Sequence, residues 1–228
     1  MSPEFKNEEL LACAIARLIG DPSHVAVGAA SPIPATACFL LKAQGRKLRI
    51  SLLQKRTGNP FTEGSRELFD LAGQGRIDVF FLGGAQIDGE ANVNLVHAEG
   101  RRFPGSFGSA YMYQAVRTVI LFREEHSKRV LVPKVEFVSA SGNPKALLTG
   151  KALFSWQKDR HRFRLESVHG GATEADIRAA TGFEFDVSSN VTPTMIPSGE
   201  ELETLRTKVA PQIAADYPDF ARRVWGTP

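Results

Sequence analysis

Cysteine is scarce in this chain of 228 residues, which contains only Cys13 and Cys38. There is no CxxC pair, and the five histidines show neither HxxxH nor HExxH spacing, so we expect no metal site. Both cysteines fall within apolar helical patterns, where an unpaired cysteine packs as a small hydrophobic side chain. We therefore predict that both thiols are buried and take no part in chemistry.

Long apolar runs and a strong charge of one sign are also missing. No segment approaches the roughly 18 apolar residues of a membrane span. The first residues, MSPEFKNEEL, carry acids and lack the apolar core of a signal peptide. The formal charge of +3 is too small for nucleic-acid binding, which usually requires a concentrated basic face. The sequence therefore predicts a cytoplasmic protein that binds neither a membrane nor a nucleic acid.

Common catalytic and nucleotide-binding motifs are absent as well. Neither GxGxxG nor GKS or GKT occurs, so the sequence gives no support to NAD or ATP binding. Ser106 lies in a GSFG segment, which is not the GxSxG elbow of serine hydrolases. No aspartate–histidine pair is placed to activate this serine, so we do not expect it to be a nucleophile.

Strand and helix patterns alternate through the first 82 residues. Strands are predicted at 24–28, 47–53 and 77–82. Helices are predicted before and between them, at 7–20 with Asn7 as cap, at 34–41, and at 66–74 with Ser65 as cap. This alternation implies right-handed crossovers. We therefore predict an α/β fold with an open, mostly parallel sheet and helices on both faces.

The rest of the chain has a different pattern. Residues 152–156 and 162–168 alternate apolar and polar side chains around a polar turn, which predicts an antiparallel hairpin near the C-terminus. Thr173 with Asp176 can cap a helix ending at Gly182, and a last amphipathic helix should run from Ser198 to about residue 215. Beyond it the pattern is weak, but Phe220, Val224 and Trp225 suggest docking on the body or on a partner chain. With no linker or repeat, residues 1–228 are expected to form a single domain.

Two glycine-bearing turns are the most informative local features. The apolar run Val79–Leu82 predicts a buried strand that stops at Gly83-Gly84, and a second turn, Gly105–Gly108, precedes another predicted strand at 116–122. Open α/β sheets bind ligands at the carboxyl ends of their strands, and peptide N–H groups in such turns attract anions. The alternative is two tight turns that contact no ligand.

These turns resemble a known family. The segment 81–94, FLGGAQIDGEANVN, resembles the FLGGAQxDxxGNxN signature of the B subunits of glutaconate-type CoA-transferases, and 104–110, PGSFGSA, resembles their PGSGGA turn. Further segments follow in the family's order, among them a predicted strand KVEFV at 134–138 and SVHGG at 167–171. The resemblance spans about residues 25–184, which is most of the chain.

The resemblance implies a coenzyme A thioester as substrate and no permanently bound cofactor. It also implies a separate A-type chain, a site at the junction of the two chains and an A2B2 assembly, with a homo-oligomer as the alternative. The residues that it places at the coenzyme A thioester are Gly83, Gly84, Ala85, Gln86, Gly105, Ser106 and Gly108. Gln86, Asn92 and Asn94 could instead hold the loop together, and Asp88 can serve as an Asx-type turn residue.

The chain departs from the family at the nucleophile. In the family a glutamate just after the second strand, in a pattern like LIFEAGG, attacks the acyl-CoA carbonyl, whereas here Gln54 stands in that place. An uncharged amide cannot form the mixed anhydride, but Gln54 could hydrogen-bond a thioester carbonyl or orient a water. Glu63 is the nearest carboxylate in the chain, and it could be a base, a replacement nucleophile or merely a solvated side chain. CoA transfer, hydrolysis or ring opening of an acyl-CoA, and a non-catalytic partner role all remain open.

Basic residues also gather around the second predicted strand. They could form a solvated strand face, or they could contact the phosphates of coenzyme A. These residues are Arg46, Lys47, Arg49, Lys55 and Arg56.

Overall fold

The structure, a computed structural model, describes residues 4–55, 61 and 63–226. The chain divides into two compact units. The first consists of residues 1–68, 76–79 and 195–228, and the second of residues 69–75 and 80–194. The prediction of a single domain over residues 1–228 stays a prediction. Several residues of the sequence interpretation lie outside the described residues, namely Arg56 of the basic group, the loop residues 57, 58 and 60, and the terminal residues 1–3 and 227–228.

Helices and strands alternate at first and are then grouped. The helices are α1 (Asn7–Ile19), α2 (Pro32–Ala43), α3 (Ser65–Gly73), α4 (Ser109–Ala115), α5 (Glu174–Ala180), α6 (Gly199–Thr204), α7 (Ala210–Asp216) and α8 (Pro218–Trp225). The strands are β1 (His24–Val27), β2 (Arg49–Leu52), β3 (Val79–Leu82), β4 (Gln86–Ile87), β5 (Val93–Asn94), β6 (His97–Ala98), β7 (Arg101–Arg102), β8 (Thr118–Arg123), β9 (Ala146–Thr149), β10 (Ala152–Gln157), β11 (Arg162–Val168) and β12 (Asp186–Pro193).

In the first unit, β1 and β2 pair in parallel, with His24 opposite Arg49 and Val27 opposite Leu52. All four residues of β1 are buried, as expected for a strand of a parallel sheet. Helices α1 and α2 bury apolar faces in the same unit, and Cys13 and Cys38 are fully buried within them. The prediction of two buried thiols is therefore confirmed, and burial raises the pKa of both well above its ordinary value.

In the second unit, neighbouring strands follow the order β12-β11-β10-β9-β8-β3. The pairs β8–β9 and β11–β12 are parallel, whereas β9–β10 and β10–β11 are antiparallel. The pair β10–β11 is the predicted hairpin, and its alternating burial follows the period of two in the sequence. Phe154 and Phe163 point into the core and pack edge to face. The predicted open, mostly parallel α/β sheet with surrounding helices and a late antiparallel hairpin is confirmed.

The predicted strand at 134–138 is wrong, because these residues are irregular. Their N–H groups bond to side chains far back in the chain instead of to a neighbouring strand. The N–H of Val135 donates to Asp88 Oδ2 at 3.2 Å, and that of Glu136 donates to Gln86 Oε1 at 3.1 Å. An apolar–polar pattern in a short segment does not show where its backbone hydrogen bonds go.

The C-terminal helices refine the sequence prediction. Ser198 caps α6 as predicted, with its hydroxyl accepting from Glu201 N at 3.1 Å. A π-helical segment, Leu205–Val209, then separates α6 from α7. Pro211 follows in the first turn of α7, and since proline has no N–H to donate, it breaks the regular α-helical bonding there.

The tail after residue 216 is helical, whereas the sequence showed no strong pattern for it. In α8, Phe220 and Val224 are buried, and Trp225 donates its indole N–H to Glu9 Oε1 at 3.1 Å. Arg206 forms a two-bond ion pair with the same buried Glu9 carboxylate, at 2.8 and 2.9 Å. Burial alone would raise the pKa of Glu9, but these hydrogen bonds lower it. Of the two predicted alternatives, docking on the body or on a partner chain, these contacts support docking on the body, because the tail packs within its own unit.

Candidate functional site

Gln54 lies at the carboxyl end of β2, where the sequence placed it. Leu53 N donates to Val27 O at 3.0 Å, so the chain leaves β2 beside the end of β1. The loop after β1 begins at Gly28, whose carbonyl oxygen accepts from the Tyr217 hydroxyl at 3.4 Å. Gln54 is half-buried at this edge. An amide held there can donate and accept hydrogen bonds but cannot act as a carboxylate nucleophile.

Glu63, the nearest carboxylate considered from the sequence, has a solvated position. Its side chain is 63% exposed and pairs with Arg66 at 3.4 Å, three residues further along. Its backbone N–H lies 3.5 Å from a carboxylate oxygen of Glu67. An exposed pair of this kind contributes little to stability, so Glu63 is free to change partners. A catalytic role for Glu63 stays a proposal that needs a direct test.

The described basic residues of the sequence prediction lie at both ends of β2. Arg46, Lys47 and Arg49 precede or begin β2, whereas Lys55 follows its end. All four are exposed, and Arg46 pairs with Asp21 at 2.8 Å. The choice between a solvated strand face and contacts to the phosphates of coenzyme A stays a prediction.

The Gly83–Gln86 turn in the second unit is closely packed. β3 ends at Leu82, and Ala85 N then donates to Asn94 O at 2.8 Å. A Cβ atom at Gly84 would lie 2.4 Å from Val93 Cγ1 and 2.9 Å from Asn94 O. Glycine is therefore required at position 84, because other residues of its own loop pack too closely for a Cβ atom. A larger side chain such as valine at this position would therefore disturb the packing of the loop.

Gln86 and Asn94 form a buried amide network inside this loop. Gln86 Oε1 accepts from Asn94 Nδ2 at 2.9 Å and from Glu136 N, while Gln86 Nε2 donates to Glu136 Oε1 at 2.8 Å. Asn94 Oδ1 accepts from the N–H groups of Val96 and His97. These bonds favour the interpretation in which both amides hold the loop together.

Asp88 organises the next turn. Its Oδ1 accepts from Glu90 N and Asn92 N, both at 3.0 Å, and its Oδ2 accepts from Val135 N. The carboxylate is buried and satisfied by backbone N–H groups, which confirms the predicted turn role. Asp88 therefore needs no catalytic function to explain its place in the signature.

Three of the four residues in the second turn, Gly105–Gly108, have positive φ. Gly105 has φ +107° and Gly108 has φ +73°, and Phe107 between them has φ +44°. A phenylalanine in this region costs about 1–3 kcal/mol, so the surrounding turn must impose the conformation. Phe107 is 71% exposed, and its ring centroid lies 6.4 Å from that of Phe69. The turn thus presents an aromatic ring where the resembled PGSGGA pattern has glycine.

Glu136 is a carboxylate of this region that the sequence analysis did not single out. It accepts from Gln86 Nε2 and from Glu99 N, and His97 Nε2 lies 3.8 Å from its other oxygen. The bond from Glu99 N, followed by that from Gln86, lowers the pKa of Glu136. The residue was overlooked because 134–138 was interpreted as a strand and not as a loop that crosses the signature.

The predicted site residues therefore fall into separate groups. Gln54 and Glu63 belong to the first unit, while Gly83–Gln86 and Gly105–Gly108 form two turns of the second unit. Within the described part of the chain, no group of three histidine, cysteine or acidic side chains could hold a metal ion. Over the same residues, no helix is both long and apolar enough to cross a membrane.

Comparison with known proteins gives a consistent set of similarities. A family model described as Coenzyme A transferase matches residues 42–153. The B subunit of the 3-oxoadipate CoA-transferase of Pseudomonas knackmussii is 28% identical over 162 residues, covering 62% of this chain and 62% of the relative. The B subunit of the glutaconate CoA-transferase of Acidaminococcus fermentans is 26% identical over 155 residues, covering 58% and 57%.

Two further similarities involve other reactions. The cholesterol ring-cleaving hydrolase IpdB subunit of Mycobacterium tuberculosis is 29% identical over 105 residues, covering 40% of this chain and 42% of that relative. The crystal structure of the decarboxylase AibA/AibB contains a chain that is 25% identical, with a TM-score of 0.81, over 98% of this chain and 100% of that one. The chain spans less than two thirds of the length of the curated relatives that it matches.

Proposed function

Because this chain is a B-subunit-like member of the coenzyme A transferase family, we propose that it acts on an acyl-CoA thioester together with an A-type partner chain. The thioester would lie at the glycine turns Gly83–Ala85 and Gly105–Gly108, with Ser106 in the second turn and Gln86 supporting the first. Peptide N–H groups in such turns can stabilise the oxyanion that develops on a thioester carbonyl. The names of the two matched CoA-transferase subunits support this substrate class.

We further propose that water attacks the thioester, so that coenzyme A is released and is not passed to a second acid. Gln54 at the carboxyl end of β2 is the observation that carries this proposal, because an amide cannot form the acyl anhydride. An amide at this position can still orient a water by donating and accepting hydrogen bonds. Water then adds to the carbonyl carbon, the carbon–sulfur bond breaks, and coenzyme A leaves as the thiol. The similarity to a subunit named as a ring-cleaving hydrolase supports water as the reactant, with ring opening of an acyl-CoA as the alternative to cleavage of the thioester.

Transfer through Glu63 is the second candidate. It rests on the exposure of this carboxylate and on its weak pairing with Arg66, which leaves it free to change position. In that case the glutamate would carry the acyl group and then coenzyme A in place of the missing nucleophile. The two candidates differ in whether a covalent enzyme–CoA thioester forms.

We expect the complex of this chain with its A-type partner to release free acid and coenzyme A without forming a covalent adduct. Mass spectrometry after incubation with acyl-CoA and borohydride should find neither residue 54 nor Glu63 modified. The Gln54→Glu variant should gain a trappable adduct at residue 54, because a carboxylate then occupies the nucleophile position. The Gln54→Asp variant is the matched control, since its carboxylate is one methylene short of the productive position.

An adduct on Glu63 in the unaltered complex would contradict hydrolysis and establish transfer with a displaced nucleophile. An adduct at residue 54 that forms equally well in the Asp and Glu variants would show that position 54 has no defined geometry. The Glu63→Gln variant shows whether Glu63 takes part in hydrolysis. Hydrolysis should continue in this variant if Glu63 is only solvated.

Assembly with an A-type chain is a further expected result. Phe107, Phe137 and Val138 remain exposed in the second unit, and such apolar side chains are usually covered in stable complexes. Light scattering on the co-expressed chains should show a hetero-oligomer, with A2B2 as the expected stoichiometry. Trp225→Phe should not prevent assembly, because this side chain bonds to Glu9 within its own unit. A monomer whose mass is unchanged by the A-type chain would contradict the proposal.

A further inference from the structure

Arg123 lies at the carboxyl end of β8, close to the first glycine turn. In the sheet β8 lies between β3 and β9, and Arg123 is paired with Thr149, the last residue of β9. A Cβ atom built at Gly83 would lie 3.7 Å from Arg123 Cδ and 2.9 Å from Phe122 O. The guanidinium group is therefore attached at the edge of the sheet where α/β proteins bind their ligands.

The guanidinium group is poorly satisfied by the protein. Its Nε is buried and has no hydrogen-bond partner among the described residues. A carboxylate oxygen of Glu125 lies 3.9 Å from Arg123 Nη2, which is too far for a hydrogen bond. That carboxylate is already held by Arg129, which donates from both Nε and Nη2, and by the Ser127 hydroxyl at 2.6 Å.

A cation in this situation needs an explanation. Burial lowers the pKa of Arg123, although the neighbouring charge of Glu125 opposes this shift. Buried polar groups in native proteins are almost always hydrogen-bonded, and the exceptions mark missing partners or functional sites. The side chain is still 34% exposed, so a partner from solution can reach it. The planar fork of an arginine suits two oxygens of a carboxylate or a phosphate.

We propose that Arg123 binds an anionic group of the substrate, a carboxylate or a phosphate, beside the Gly83–Gly84 turn. The identity of the substrate rests on the proposed function, whereas the anion site itself rests on the geometry of Arg123. The carboxylate could come from the acyl group or from the released acid, and the phosphate from coenzyme A. Both sources offer the paired oxygens that the unused donors of Arg123 require.

Three variants of the full chain, each purified with its A-type partner, test the assignment. Arg123→Met removes the charge but keeps an unbranched side chain. Arg123→Lys keeps the charge but lacks the planar guanidinium group, and Arg117→Met is the matched control. Arg117 is exposed and immediately precedes the same strand at its opposite end. Glutarate, inorganic pyrophosphate and coenzyme A serve as probes in calorimetry, and thermal unfolding is recorded for each variant.

We expect Arg123→Met to weaken binding of at least one probe by about ten- to a hundredfold, as loss of a charge-assisted hydrogen bond would. Loss of glutarate binding alone assigns the site to a carboxylate, and loss of pyrophosphate and coenzyme A binding assigns it to a phosphate. Arg123→Lys should show a smaller loss, and Arg117→Met none. Arg123→Met should melt at the same temperature as the unaltered complex or higher, because a partly buried cation with an unsatisfied Nε is removed.

The proposal is overturned if Arg123→Met and the unaltered complex bind all three probes equally, or if the unaltered complex binds none. It is also overturned if Arg123→Met melts well below Arg117→Met, since the arginine would then be a structural residue. Turnover of an acyl-CoA by the unaltered complex is measured separately. If turnover is absent while the anion binding depends on Arg123, the proposed function fails and the anion site stands.

Discussion

Replacing Gly84 by alanine should lower the free energy of unfolding by about 3 kcal/mol, the upper part of the usual range for overpacking. The added Cβ would lie 2.4 Å from Val93 Cγ1 and 2.9 Å from Asn94 O. Neither group can withdraw easily, because Val93 is fully buried and Asn94 O accepts from Ala85 N. Urea denaturation followed by circular dichroism measures the change.

Gly199→Ala is the matched control for this substitution. A Cβ at Gly199 meets no atom within 4 Å, and the residue has no left-handed φ, so we expect a change within about 0.5 kcal/mol. A double variant, Gly84→Ala with Val93→Ala, should lose less free energy of unfolding than the two single variants lose together, since one of the clashing groups is gone. Strict additivity would mean that the loop relaxes in another way and that Gly84 is not held by Val93.

Lowering the pH from 7 to 5 should destabilise the second unit through two buried histidines. Burial lowers the pKa of His126 and of His169 to about 4, with the charge of Lys151 adding to the effect at His126. His126 lies between the hydroxyls of Thr149 and Thr181, at 2.7 and 3.0 Å, and His169 Nε2 lies 3.1 Å from Thr149 O. Both imidazoles are therefore neutral in the folded protein at pH 7.

The direction of the effect follows from the two pKa values. An unfolded histidine takes up a proton near pH 6.5, whereas these two do so only near pH 4 when folded. Their contribution to stability is complete above pH 6.5 and is lost progressively as the pH falls toward 4. Each histidine contributes a slope of up to about 1.4 kcal/mol per pH unit in this window.

Urea denaturation at several pH values between 5 and 7 tests this expectation. The window separates the histidines from the carboxylates with lowered pKa, such as Glu9, whose contribution is lost only below its unfolded pKa. His126→Gln should reduce the slope. His161→Asn should leave it unchanged, because His161 is exposed and asparagine tolerates its φ of +44°. Equal slopes in all three proteins would contradict the assignment.

Much of the fold follows from local sequence patterns. The period-two alternation of 152–168 predicts the hairpin β10–β11, and Thr173 and Ser198 begin their helices through hydrogen bonds within one turn. The abrupt change from Val79–Leu82 to Gly83-Gly84 predicts the end of β3 and its turn. These features depend on neighbouring residues, so they are visible without tertiary structure.

Only the tertiary structure decides which distant groups a side chain contacts. The side chains of Asp88 and Gln86 accept hydrogen bonds from the N–H groups of Val135 and Glu136, which follow them by 47 and 50 positions. These bonds are the reason why 134–138 is a loop and not a strand. Trp225 reaches Glu9 across 216 positions and holds α8 against its own unit. In the sequence, Arg123 is only the polar end of an apolar strand. The packing around it shows that its Nε lacks a hydrogen-bond partner among the described residues. A sequence pattern states the period of a segment, whereas the topology decides which groups meet and which are left for a ligand.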